Sequence, residues 1–301
     1  MPAGALPLSH LLLALAVVAV WGTNFVIIRQ GLDDLPPLLF ATLRFAFVVF
    51  PAILFLPRPA VPWRHLAGYG LLIGAGQFGL LFIAMNGFIS PGLASLVVQV
   101  QVFFTIGLAM AAAGEKIGLF QVLALILAAS GVGVILAHTD GSATTPVGLA
   151  LVLLAALAWA GGNHVAKLGG RVNMLAYVTW ASLFSVPPLL ALSLLMEGAP
   201  AILQGLRQAD LATWAAVAWQ SAGNSLFGYA AWGWLLARHP AATITPMAML
   251  VPVFGMGASA LLLGEPMPPW KIIAAALVLA GLAVNLLWPI VAARRLPPPA
   301  A

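Results

Sequence analysis

The chain has too few charged residues to be a water-soluble globular protein. Only 6% of its 301 residues are charged, whereas 63% are hydrophobic, and the mean hydropathy is +1.08. A soluble domain usually carries about 25% charged residues, so this chain cannot cover a water-facing surface. We therefore expect a multi-pass integral membrane protein whose solvent is the lipid bilayer.

Cysteine is absent, which excludes a disulfide framework and a thiolate metal site. The formal net charge is +5, but the basic residues are scattered singly along the chain. A nucleic-acid site needs them clustered on one face, so no nucleic-acid partner is expected. We predict no cofactor and no metal, and no oligomeric state follows from the sequence.

Long apolar runs fill almost the whole chain. A helix needs about 20 mostly apolar residues to cross the hydrocarbon core, and continuous runs favour helices over the alternating strands of a barrel. The separations at Ser90-Pro91 and at His239-Pro240 depend on a proline that restarts a helix. The sequence predicts an all-α fold with ten transmembrane helices at His10 to Ile28, Pro37 to Leu56, Leu66 to Phe88, Pro91 to Ala113, Ile117 to Ala137, Val147 to Ala166, Met174 to Met196, Leu211 to Ala237, Pro240 to Leu263 and Trp270 to Ile290.

The basic residues of the loops predict the orientation, because loops rich in Lys and Arg stay in the cytoplasm. With the N-terminus inside, eight basic residues fall on the cytoplasmic side: Arg58, Arg64, Lys116, Lys167, Arg171, Arg238, Arg294 and Arg295. Three fall outside: Arg29, Arg207 and Lys271. We therefore predict that both termini are cytoplasmic in a bacterial-type inner membrane.

The two halves of the sequence resemble each other. Gly114-Glu115 ends the fourth predicted span as Gly264-Glu265 ends the ninth, and Phe78-Gly79 precedes Ser90-Pro91 much as Phe227-Gly228 precedes His239-Pro240. Five spans per half is an odd number, so the second half must be inverted in the membrane. We predict one membrane domain of two inverted five-helix repeats, residues 1–140 and 141–301. Such repeats place a substrate site near the midplane, between halves that can rock.

Several motifs resemble the drug/metabolite transporter superfamily. They are Trp21-Gly22-Thr23-Asn24-Phe25, Leu43-Arg44-Phe45 and the Gly-Glu pairs that close the fourth and ninth spans. Pro252-Val253-Phe254 is similar to the EamA branch, and the chain looks most like YddG-type exporters of aromatic and other neutral amino acids. The resemblance implies that spans one to four and six to nine form the cavity. Val102 stands where the second repeat has Pro252, which predicts a helix kink in only one half.

Polar residues inside a membrane are costly and usually face a cavity or the bundle interior. Their amides can meet an ammonium and a carboxylate, and tryptophans can hold an apolar or aromatic side chain by stacking. Interhelical hydrogen bonding is the alternative role for any single amide. The predicted substrate-binding residues are Asn24, Gln77, Ser95, Gln99, Trp159, Asn163, Trp180, Trp219, Gln220 and Asn224.

Charged and titratable residues are nearly absent from the spans. Arg44 is the only formal charge within them, and it either attracts a substrate carboxylate or has a structural role, which we favour. His164 is a candidate proton site, although hydrogen-bonded packing is the more frequent role of such a histidine. Glu115 and Glu265 each follow a glycine, which predicts that they open the next helix.

These features predict a transporter that exports small neutral solutes by alternating access, with amino acids, including aromatic ones, as its substrates. No acidic residue lies in a predicted span, so a uniporter is the simplest hypothesis. A proton-coupled carrier of drugs or other metabolites is the alternative within carriers. An integral membrane enzyme is the alternative from another class, and the chain has neither an HExxH nor a GxSxG motif.

Overall fold

The computed structural model describes residues 6–113, 118–139, 144–170 and 172–295. Within these ranges the secondary structure is helical, and the only β pairing is an isolated bridge between Ile89 and Thr144. The all-α prediction is confirmed. The Gly114-Glu115 pair and the boundary at residue 140 between the predicted repeats lie outside the described residues.

Ten long helical segments, α1 to α10, follow each other along the chain. The first five are α1 Leu8–Gly31, α2 Pro37–Val49, α3 Trp63–Met85, α4 at 91–113 and α5 Leu119–Ala137. The second five are α6 Pro146–Leu168, α7 Met174–Met196, α8 at 211–238, α9 at 241–263 and α10 Pro269–Arg295. A shorter helix, Gly198–Gln208, connects α7 to α8.

Nine of these described segments are long and apolar enough to cross a membrane. The segment that does not meet this measure is α8, which is continuous but carries Gln220, Ser221, Asn224 and Ser225 near its middle. Those polar residues lower its hydropathy, so the count of ten spans stays a prediction.

Proline restarts the helices where the sequence predicts it. Ser90 is extended and immediately precedes Pro91, the first residue of α4. His239 is also extended, with φ −129° and ψ 151°, between the end of α8 and Pro240. The residue before a proline disfavours helical backbone, so both helix breaks have the same steric cause.

Helix packing relates the first five segments to the second five. α1 packs against α8 and α9, and α6 packs against α3 and α4. α2 packs against α7, and α5 packs against α10. If the labels α1 to α5 are exchanged with α6 to α10 in order, the same helix pairs are in contact. The arrangement therefore has the contacts that two related halves would form.

Four helices depart from regular α geometry, in matched positions. A π-helix occupies Leu71–Gly79 in α3 and another occupies Trp219–Phe227 in α8. A 3-10 segment occupies Val98–Val100 in α4 and another occupies Thr245–Leu250 in α9. Irregular helical geometry is therefore not restricted to the half that contains Pro252, whereas a kink in only one half stays a prediction. In α4 a run of β-branched valines, which are poor helix formers, stands in the irregular stretch.

Candidate functional site

A cavity of about 640 Å³ lies between α1, α3, α4, α6, α8, α9 and α10 and the first residue of α7. Its size falls within the range of about 300–1,000 Å³ that small-molecule sites usually have. Each of the four irregular helical segments contributes to its wall, through residues such as Gln77, Asn224, Gln99 and Met249. Non-α turns free backbone groups from the helical ladder, and they are frequent where membrane helices line a binding site.

The cavity extends toward the membrane face that carries the α6–α7 and α8–α9 connections. Met174 is the first residue of α7, and Leu236 lies two residues before the end of α8. Leu286 lies in the second half of α10. α1 begins and α10 ends at this same face, so we call it the open face.

The residues of the cavity wall do not extend to the opposite face, which we call the closed face, and a glutamate joins three segments there. The carboxylate of Glu265, which follows α9, accepts hydrogen bonds from Ser90 Oγ at 2.5 Å and from Gly92 N at 2.9 Å. It also forms an ion pair of 2.8 Å with Lys271 on α10, and both side chains are buried. The prediction that Glu265 opens the next helix is therefore wrong. Tertiary packing brings it to the amino end of α4, where the free N–H groups and the helix dipole favour a carboxylate.

A second glutamate makes a similar contact at this closed face. Glu197, at the end of α7, accepts hydrogen bonds from Leu38 N at 2.6 Å and from Leu39 N at 3.1 Å. Thr213 of α8 donates to Asp34, which precedes α2. Helix α8 itself begins after Asp210, and hydrogen bonds from Thr213 lower the pKa of that carboxyl. Carboxylates of the second half thus cap helices of the first half.

Six of the ten predicted substrate residues lie in the cavity wall. They are Asn24, Gln77, Gln99, Trp159, Asn163 and Asn224.

The other predicted site residues lie away from the wall. Ser95 is buried and donates to Gly92 O within α4. Trp180 donates from Nε1 to Leu56 O at 3.0 Å. Trp219 is exposed on α8, and His164 is half-buried on α6. Gln220 and Arg44 are buried behind the wall.

The amides of the wall are partly engaged with one another. Asn163 Nδ2 donates to Gln101 Oε1 at 3.2 Å, and Thr105 donates to the same oxygen. Gln99 Nε2 donates to Ala248 O at 3.4 Å. Gln77 Oε1 is buried without a hydrogen-bond partner among the described residues. The wall therefore offers amide hydrogen-bonding groups without a formal charge.

Aromatic side chains form one side of the cavity. Trp21 donates from Nε1 to Asn224 O at 3.1 Å, across α1 and α8. Its ring lies 5.2 Å from that of Trp232 and 6.0 Å from that of Tyr229. Sequence reasoning did not assign these three residues to the site, although Trp21 belongs to a motif that it quoted.

Arg44 is connected to the wall through two amides. Its Nη1 donates to Gln220 Oε1 at 2.8 Å, and its Nη2 donates to Ser225 Oγ at 3.0 Å. Gln220 Nε2 in turn donates to Asn24 Oδ1 at 2.8 Å. The guanidinium lies 3.5 Å from the centroid of the Phe78 ring, a cation–π geometry. Arg44 is 1% exposed, so it does not reach the cavity itself.

Within the described part of the chain, no cluster of three or more His, Asp or Glu side chains has the arrangement of a metal site. His10 and His239 form a pair, with Nδ1 and Nε2 at 2.7 Å, at the open face outside the cavity wall.

Comparison with known proteins gives a consistent result. The model of the EamA-like transporter family matches residues 8–137 and 146–287. Two relatives are named "Probable amino-acid metabolite efflux pump", and each alignment spans 91% of this chain and 93% of the relative. The one from Salmonella typhimurium is 41% identical and the one from Escherichia coli K12 is 39% identical.

More distant matches agree. A "Probable terminal-alkyne amino-acid exporter" from Streptantibioticus cattleyicolor is 28% identical over 88% of this chain and 89% of its own. A solved crystal structure aligns with a TM-score of 0.63, over 93% of this chain and 97% of that chain. Its sequence identity is 19%, so it supports the fold alone.

Proposed function

The chain belongs to the EamA-like transporter family, and from that premise we propose that it exports small neutral amino acids, including aromatic ones, across a bacterial inner membrane. The observation that carries the proposal is the cavity, which is lined by amides and aromatic rings and extends to one membrane face. The names of the relatives, efflux pumps and exporters of amino acids and their metabolites, support the same substrate class.

The wall matches the chemistry of a zwitterion with an apolar side chain. Gln77 Oε1, buried without a partner among the described residues, is an acceptor for an ammonium N–H. The indoles of Trp21, Trp159 and Trp232 offer stacking surface for an aromatic side chain. A wall without carboxylates or cations suits a solute without net charge, which favours amino acids over phosphorylated metabolites.

Alternating access is the mechanism that fits a cavity closed at one face. The two repeats, residues 1–140 and 141–301, would rotate against each other around the cavity, so that one membrane face closes as the other opens. The family match at 8–137 and 146–287 and the exchange-related helix contacts support this division. The contacts that Glu265 and Glu197 make at the closed face would break when that face opens.

We place the open face in the cytoplasm, with both termini. The excess of Lys and Arg at the loops of that face supports this orientation, because such loops are retained inside. A cavity that faces the cytoplasm is also the state in which an exporter takes up its solute.

Uniport, which is transport without coupling to protons, is the mode that the residues of the cavity support best. His164 lies outside the cavity wall, and the acidic residues of the sequence all lie outside the predicted spans. A carrier of drugs or other metabolites that is coupled to protons remains the alternative and would need a titratable group on the solute's path. We also propose that the chain is not an enzyme, because the wall is built of amide, hydroxyl, indole, thioether and hydrocarbon groups.

Counterflow in proteoliposomes tests the proposal. Proteoliposomes that contain the purified protein and are loaded with unlabelled phenylalanine or leucine should accumulate the labelled amino acid from the outside. Gln99→Ala and Asn224→Ala should each lower the initial rate by about tenfold, as expected for lost hydrogen bonds to a charged group. Gln204→Ala, an exposed amide on the connecting helix, is the matched control. Wild-type rates in both cavity variants would contradict the assignment of the site.

A further inference from the structure

The structure assigns a carboxylate-binding position to the side-chain N–H groups of Asn24, and it assigns to Arg44 the role of strengthening that position through Gln220. This inference rests on the proposed function and deepens it. Arg44 never touches the solute in this account, so it is a positioning residue and not a ligand.

The polarity of the connection is fixed by the arginine. A guanidinium has only donors, so the Gln220 atom that faces Arg44 Nη1 at 2.8 Å must be the amide oxygen. The Gln220 nitrogen therefore faces Asn24, and the Asn24 atom that it meets at 2.8 Å must be Oδ1. Amide orientations are usually open to exchange, but here each one follows from its neighbour. The two N–H groups of Asn24 Nδ2 remain, and Asn24 lies in the cavity wall.

The chain of hydrogen bonds also carries the effect of the charge. Each amide that accepts from a cation becomes a better donor at its own nitrogen, because hydrogen bonds in series polarise one another. Asn24 therefore presents stronger donors to the cavity than an isolated asparagine would. Charge-assisted hydrogen bonds to a carboxylate are the strong ones, so an anionic oxygen gains most at this position.

Arg44 lacks the counter-ion that a buried cation normally requires. Among the described residues it forms no ion pair, and its hydrogen-bond partners Gln220 and Ser225 are neutral. All seven acidic residues of the sequence lie outside the predicted spans. An unpaired charge inside a membrane protein is costly. A solute carboxylate at Asn24 would supply the missing negative charge whenever the cavity is loaded.

The test compares two solutes that differ only in the carboxylate. Phenylalanine and its carboxamide, phenylalaninamide, share the side chain and the amino group. Both compete for counterflow of labelled leucine by wild-type protein in proteoliposomes, and the ratio of their inhibition constants measures the preference for a carboxylate. We expect wild-type protein to prefer phenylalanine by about 10- to 100-fold, the range for a hydrogen bond to a charged group.

Two variants separate the chain of amides from the packing of Arg44. Gln220→Met keeps the length of the side chain but removes both of its side-chain hydrogen bonds. It should lower the ratio of inhibition constants by about tenfold, while phenylalaninamide still competes. Ser225→Ala removes the other hydrogen bond of Arg44 and the one that Ser225 Oγ donates to Gln220 O. It leaves the side-chain hydrogen bonds that join Arg44, Gln220 and Asn24 in place. This matched control should keep the wild-type ratio.

The outcomes are decisive in each case. An unchanged ratio in Gln220→Met, or an equal loss of ratio in Ser225→Ala, would overturn the inference. If Gln220→Met does not insert, Asn24→Ala removes the terminal donors, together with the Oδ1 atom that accepts from Gln220, and must show the same loss of preference. Wild-type protein that carries leucine but accepts both competitors equally would overturn the inference alone. Wild-type protein that carries no amino acid would overturn the proposed function.

Discussion

Gly22 shows what a single residue of the Trp-Gly-Thr-Asn motif does in the packing. A Cβ at this position would lie 2.5 Å from Phe254 Cβ and 2.6 Å from Val251 O on α9. Neither atom is the end of a flexible side chain, so the two helices could not keep their present distance. Gly22 therefore sets the close approach of α1 to α9 beside the cavity.

We predict that Gly22→Ala destabilises the protein by about 1–3 kcal/mol, the usual cost of overpacking. Thermal unfolding in detergent measures it. Gly257→Ala, also on the α9 side of the bundle, is the matched control, because an added Cβ there meets nothing within 4 Å. Equal midpoints for the two variants would show that α1 and α9 do not touch as described.

The aromatic side of the cavity leads to a prediction about specificity. Trp232→Leu removes the ring that lies 5.2 Å from Trp21. We expect the preference for phenylalanine over leucine to fall by about two- to tenfold, the range for one aromatic contact. Competition in counterflow measures this ratio. Trp288→Leu, an exposed position on α10, should leave it unchanged, and a similar change in both variants would contradict a cavity role for Trp232.

Sequence reasoning found the cavity amides because polar residues are rare in these spans. It could not tell which helix face points inward, so it also selected Ser95 and Trp219, which lie elsewhere. Gln101, which lines the cavity just beyond the 3-10 segment, was not among the predicted residues. Face arguments assume regular α geometry, and the cavity lies where that geometry fails.

At the scale of the helices, carboxylates hold the closed face. Glu265 and Glu197 come from the second half and cap α4 and α2 of the first. The sequence predicted that Glu265 marks a helix boundary, but the helix that it caps lies more than a hundred residues earlier. Local propensity has no information about such a partner, because only packing of the complete bundle brings the two together.

We predict that Glu265→Gln loosens the amino end of α4. The change leaves Lys271 without its ion-pair partner and weakens the cap, since a neutral amide interacts less with the helix dipole. Amide hydrogen exchange around residues 90–94 should become at least about tenfold faster. Glu197→Gln is the reciprocal control and should affect residues 37–40 instead. Unchanged exchange near α4 in Glu265→Gln would contradict the role of this contact.

At the scale of the molecule, the fold class followed from composition and from the lengths of the apolar runs. The halves could be recognised from short repeated motifs because the copies within the described residues mark a helix end or an irregular segment. The span count is less accessible, since the helix with most cavity polarity, α8, is also the least apolar. The closed and open faces could not be predicted, because they depend on contacts between distant helices.

Uniport makes a prediction for the whole transport cycle. No step of the proposed mechanism needs a titrating group, so a protonophore should change the initial rate of leucine uptake by less than about twofold, which is about 0.4 kcal/mol of activation free energy. His164→Asn should retain this behaviour. Uptake that collapses with the proton gradient, and that becomes insensitive to it in His164→Asn, would support the proton-coupled alternative.

Alternating access is the central claim, and locking the closed face tests it most directly. The natural chain has no cysteine, so Ser90→Cys combined with Glu265→Cys creates the only thiol pair, which Hg²⁺ can bridge. We predict that Hg²⁺ abolishes counterflow and that dithiothreitol restores it, whereas each single variant is insensitive. Undiminished counterflow in the bridged protein would contradict the account.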